Sequence, residues 1–115
     1  VACVAEFGII DQFETDKDYS KYEAETYHCI AIADEFLNDW WDDLSLIKTY
    51  FHSYNRPSLA LARWGVTLIP PESLEAFYSI VLKDKQSKSS SELIDLMVLL
   101  RRAINENKYV IHYGV

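Results

Sequence analysis

The chain has 115 residues, half of them hydrophobic and a quarter charged. That is enough for one domain with a core needing neither metal nor disulfide staples, and the composition excludes extensive disorder. A net charge of −7 disfavours binding to nucleic acid or to an anionic membrane. No apolar run approaches the length of a membrane span.

The charge is one-sided. Residues 1–43 hold twelve acids against Lys17 and Lys21, a net −10, whereas residues 44–115 hold six acids against nine basic groups, a net +3. Cys3 and Cys29 both sit in short apolar runs and read as two buried thiols of a cytoplasmic protein. One disulfide joining neighbouring strands is the competing reading. Val1 opens the chain where a methionine would, so the reading allows for residues upstream. Residues 1–10 lack the basic flank and cleavage site of a signal peptide.

In chain order, Val1, Cys3, Ala5, Phe7 and Ile9 alternate and predict a first strand. Residues 11–26 are polar and acidic without Gly or Pro, and read as a long surface loop or a loop with a short helix. The run HCIAIA from His28 predicts a second strand. From Asp34, a potential cap, Leu37, Trp40, Leu44, Ile47, Phe51 and Tyr54 recur at helical spacing and predict about five turns, ended by Asn55, Arg56 and Pro57. Residues 62–69 alternate as a third strand, with a start as early as Leu59.

Pro70-Pro71-Glu72 then opens a helix whose stripe is Leu74, Phe77, Tyr78 and Val81. Ser89 with Glu92 has capping-box spacing before a helix marked by Leu93, Met97, Leu100 and Ile104, with Asn107 as its stop. YVIHYGV closes the chain as a strand. The predicted order is β-β-α-β-α-α-β: a single α+β domain over 1–115, with a mixed or antiparallel sheet of about four strands and about three helices on one face.

Nothing in the chain advertises catalysis. His28 and His112 fall in predicted strands and His52 on the polar side of the first helix, and neither cysteine sits in a basic or helix-starting context. Nucleophile-elbow, P-loop, dinucleotide and zinc signatures are missing. Glu25 and His28 have the spacing of half a helical metal site, but no second copy exists. The reading is therefore of no cofactor, no metal and no enzyme. The alternative is a small enzyme or ligand-binding cleft using His28, His112 and nearby carboxylates.

Two stretches combine acids with aromatics. In the run Trp40 to Asp43, helical spacing turns Trp40 inward and leaves Trp41 at the margin with Asp42 outward. Trp41 is thus either a side chain lying along the surface or an exposed anchor ringed by Asp39, Asp42 and Asp43. Arg63 and Trp64 flank the third strand, with Arg63 placed to pair with the acidic helix. In the loop 11–27, Asp16, Asp18, Tyr19, Tyr22 and Glu23 make either a solvated loop or a tyrosine-and-acid contact surface that would steer a basic partner.

Through its size, acidity and the stretches DQFETDKDYSKYEAE and DEFLNDWWDD, the chain resembles the small acidic immunity proteins that bacteria make beside a toxin, including those of contact-dependent growth inhibition. The resemblance implies a cytoplasmic protein that binds and neutralises a cognate basic toxin, such as a nuclease. It implies no particular fold, because immunity proteins share none.

Overall fold

The structure, a computed structural model, describes residues 3–114; Val1, assigned to the first strand, and Val115, assigned to the last, lie outside them. The elements are β1 (Val4–Ile10), β2 (Ile30–Ala33), α1 (Glu35–Leu44), β3 (Lys48–Phe51), β4 (Pro57–Leu59), β5 (Val66–Ile69), α2 (Pro71–Leu82), α3 (Ser91–Glu106) and β6 (Tyr109–Tyr113). The α+β class and the three helices are as expected. The sheet is wholly antiparallel and has six strands, not about four, in the order β2-β1-β6-β5-β3-β4.

The extra strands come from the region expected to continue the first helix. α1 stops at Leu44, and residues 48–51 pair with β4 and β5. Ile47 and Thr49 are buried while Lys48 is exposed, so the segment satisfies the two-residue period of a strand as well as a broken helical one. Thr49, Tyr50 and Phe51 favour extended backbone. The Thr49 hydroxyl donates to the Ala60 carbonyl at 2.7 Å, fixing the hairpin. Asn55, Arg56 and Pro57 therefore turn a hairpin instead of ending a helix, and Pro57 sits on the edge strand, where its missing N–H costs no ladder bond. His52, expected on the helix, lies at this turn with φ 68°. The strand expected over 62–69 shortens to 66–69 because the chain bends at Gly65, whose φ of +137° suits glycine alone.

The remaining helix signals hold with small shifts. Asp34 occupies the cap of α1 without a side-chain cap bond. Pro71 opens α2, with Leu74, Phe77 and Val81 buried. Ser90, one residue later than expected, caps α3 by accepting from the Leu93 N–H, and Asn107 ends it in the left-handed conformation. Glu92 leaves the capping box for another task. Its carboxylate accepts the Ala33 N–H at 2.6 Å, closing part of the exposed edge of β2.

The sheet is covered on both faces. One side packs Ala5, Phe7, Ile9, Ile32, Ile69 and Val110 against all three helices. The other presents Ile10, Val66, Leu68, Ile111 and Tyr113, which are covered by the long segment 11–29, called here the strap.

Candidate functional site

The strap has turns but no helix or strand, and its aromatic side chains hold it down. Phe13 stacks on Tyr109 at 3.6 Å and 4°, and on Tyr19 at 5.4 Å and 2°. Tyr19 is the plug, only 3% exposed. Its N–H donates to the His52 carbonyl at 2.7 Å, and its hydroxyl accepts the Glu14 N–H at 2.9 Å. Lys108 reaches Asp11 at 2.9 Å at the strap's start, which holds the Asp11 carboxyl below its ordinary pKa. At its end the chain crosses Gly8 so closely that a Cβ there would meet the Cys29 Sγ and the Tyr27 carbonyl at 2.7 Å each. A glycine inside a strand is the sequence signal of such a close approach.

Under residues 21–29 lies a groove of about 750 Å³, lined by Glu6, Tyr22, Glu23, Glu25, His28 and Cys29 among others. The Tyr22 hydroxyl donates to Glu6 at 2.5 Å, and that bond holds the phenol up at about 12. Burial, helped by Glu6, pushes the Cys29 thiol up to about 12, so it is no ready nucleophile. Cys29 is half-buried, and Cys3, expected to be buried, is exposed, one residue before β1 begins. The register of β1 and β2 sets Cys3 beside Asp34 and Cys29 beside Gly8, at opposite ends of the pair. Five residues of strand, roughly 16 Å, separate them, far beyond disulfide reach.

The residues expected to contact a partner fall into two groups divided by the sheet. Asp16, Asp18, Tyr22 and Glu23 lie on the strap side, with Asp16, Asp18 and Tyr22 exposed and Glu23 half-buried. Tyr19 belongs to that side's core and offers no contact surface. On the helix side, Asp39, Asp42 and Asp43 are exposed along α1 and Trp41 is half-buried. Trp40 is buried as expected, its indole N–H donating to Asp84 at 2.8 Å.

Trp41 is not a bare anchor. The Arg63 guanidinium lies over its ring at 5.4 Å and donates to the Asn38 side-chain Oδ1 at 2.6 Å. Arg63 thus bonds α1 through an amide and an indole, not through a carboxylate. The exposed tryptophan is its neighbour Trp64, at 77%. The loop presenting it is fixed: the Ala62 N–H donates to Thr67 at 2.7 Å, and the Gly114 N–H donates to the Gly65 carbonyl at 2.8 Å. Position 64 follows an alternating pattern that a strand would also show, so its exposure was not readable from spacing.

Among the described residues, ion pairs join Arg101 to Glu75, Arg102 to Glu106, and Lys108 to Asp11 and Glu106. None uses a carboxylate of α1 or of strap residues 14–25. Asp39 and Asp43 share a groove of about 420 Å³ with Lys83 and Lys85, whereas Glu35 and Asp42 lie outside it.

The histidines do not converge. His112 is fully buried on the helix side, its ring 4.9 Å from Phe7 and its Nδ1 3.4 Å from the Thr67 hydroxyl. His28 is exposed on the strap side with φ 51°. No group of three potential metal ligands gathers among the described residues. Nor is any described helix long and apolar enough to cross a membrane.

Fold and surface together define a class: a six-stranded antiparallel sheet, helices on one face and an aromatic strap on the other, with carboxylates on both sides that make no ion pair among the described residues. Compared with protein-family models, curated proteins and solved structures, the chain matches none of them.

Proposed function

We propose that this protein is a non-catalytic cytoplasmic binding module that docks a basic protein partner, in the manner of an immunity protein neutralising a toxin. The observation that carries the reading is the surface of α1. Its carboxylates Glu35, Asp39, Asp42 and Asp43 are exposed and make no ion pair among the described residues. Beside them, a fixed loop tied to α1 through Arg63 holds an exposed tryptophan. Carboxylates steer a basic partner during encounter, and a large aromatic buried on docking slows its departure. The strap acids Asp16, Asp18 and Glu23, with Tyr22, extend the negative field on the far side of the sheet.

A cleft enzyme built on His28 and His112 has less support, since the sheet lies between the two rings. The test begins at the neighbouring gene. A large secreted protein ending in a basic domain there supplies the partner, and that domain is titrated against this chain by biolayer interferometry. The expected result is tight binding that Trp64→Ala weakens by about 2 kcal/mol or more through faster dissociation. No binding, or binding untouched by Trp64→Ala and by neutralising Asp39 and Asp42, would overturn the reading.

A further inference from the structure

The outward side of α3 is apolar where a solvated helix would be polar. Ile94 and Val98, one turn apart, are 40% and 64% exposed. They border a groove of about 510 Å³ between α3 and α2, lined also by Met97 and Tyr78. Asp95 and Arg102, both exposed, stand on either side of Val98 along the same helix. Asp95 makes no ion pair among the described residues, and Arg102 makes only a 4.0 Å contact with Glu106, its side chain 63% exposed. Arg101 is otherwise engaged, 3.2 Å from Glu75 and stacked over Tyr78 at 4.3 Å.

We propose that this face binds a second copy of the chain, α3 against α3 in antiparallel orientation, with the two-fold axis beside Val98. A two-fold contact is self-complementary: a residue n places before the axis in one copy meets the residue n places after it in the other. Across Val98, Ile94 meets the aliphatic stem of Arg102 from the second copy. Asp95 lies on the same flank of Val98 as Arg102, with Arg101 on the other flank, so across the axis it is one place from the level of Arg102 and meets its guanidinium end; both contacts occur twice. A parallel arrangement would set Asp95 against Asp95 and Arg102 against Arg102, so the charges select the antiparallel one. An unrelated acidic helix would satisfy Arg102 but leave Asp95 facing like charge, whereas a second copy satisfies both. The choice of face also fits the chain's net −7, because the unpaired acids of α1 and the strap lie elsewhere and α3 here shows balanced charge. At sixteen residues α3 is about 24 Å long. One helix pair of that length buries less than the roughly 1,600 Å² of a standard interface, so the dimer is a weak one.

Sedimentation equilibrium of the purified chain over a wide concentration range tests this directly. The weight-average mass should climb from 13.4 kDa towards twice that value. Val98→Glu should hold it at the monomer value with an unchanged thermal melt, because Val98 is already exposed. Asp95→Arg alone and Arg102→Asp alone should each weaken association at least tenfold, and the two together should restore it, since the exchanged charges still face each other. In a Cys3→Ser, Cys29→Ala background, Val98→Cys should form a disulfide-linked dimer on mild oxidation, and Leu82→Cys should not. A wild-type chain that stays monomeric throughout overturns the proposal. So does a dimer indifferent to Val98→Glu, or a double charge exchange that fails to recover association.

Discussion

The two faces of one sheet are closed by different means. Under the helices the sheet shows mostly aliphatic side chains with Phe7, Thr67 and His112 among them, and the covering layer is three elements whose backbone bonds are internal. Under the strap it shows Tyr109 and Tyr113 beside Ile10, Val66, Leu68 and Ile111, and the cover is nineteen residues of irregular chain. A helix brings its own hydrogen bonds and needs only an apolar stripe to dock. An irregular segment must find partners for its backbone, and this one finds them in the His52 carbonyl, the Tyr19 hydroxyl and the Tyr113 hydroxyl. Flat ring-on-ring contact then supplies area that a non-repeating backbone could not present as a stripe. The difference predicts that the strap opens at lower free energy than the helix layer.

Deletions on the helix side should cost most. Trp40→Ala removes a buried ring packed on Phe36 and Phe77 and strands Asp84, and should lower stability by about 3–5 kcal/mol in urea melts. A loss near that of a surface change would mean the helix layer is not the principal core.

His112 comes next. Burial pushes its pKa down to about 3, below the ordinary 6.5 expected in the unfolded chain. Above pH 6.5 the ring is neutral in both states and the linkage is silent. As pH falls below 6.5 the unfolded chain takes up a proton that the folded chain refuses, so stability should fall by up to about 1.4 kcal/mol per pH unit. That loss continues down to the folded pKa. Replacing His112 by leucine should remove this slope from the pH dependence of urea midpoints. An identical slope in the variant would place the proton uptake elsewhere.

Gly8→Ala probes the strap side, because its Cβ would meet Tyr27 and Cys29. The expected cost is about 1–3 kcal/mol, with faster amide exchange confined to residues around 24–29. Exchange rising equally in α2 and α3 would show that the two layers open together. Smallest is Asp42→Ala, which should stay within about 0.5 kcal/mol as solvated positions do.

Where local chemistry decides structure, the sequence was legible. Pro70-Pro71 and Asn107 punctuate α2 and α3 because proline and a left-handed asparagine act through their own backbone. The helical reading runs on past Leu44 because Ile47 and Phe51 fit the helical and the strand period at once, and pairing with β5 decides between them. The acid-rich first third was visible in the charge count, but its division by the sheet depends on topology. Tyr19 reads in the sequence as a contact residue because burial beneath a loop leaves no period to read. Trp41 lies at the margin, one of its two readings, under Arg63, a contact spanning 22 residues that no local pattern encodes, and the exposed tryptophan is Trp64.

That division makes the docking claim open to a direct comparison. Two variants are prepared, one neutralising Glu35, Asp39 and Asp42 on α1, the other neutralising Asp16, Asp18 and Glu25 on the strap. Their association with a basic protein partner, sought first among the products of neighbouring genes, is followed by surface plasmon resonance at low and high salt. The account predicts that the α1 variant associates markedly more slowly and loses most of its salt dependence, while the strap variant changes less and keeps its own. Equal, salt-independent association for parent and both variants would contradict it.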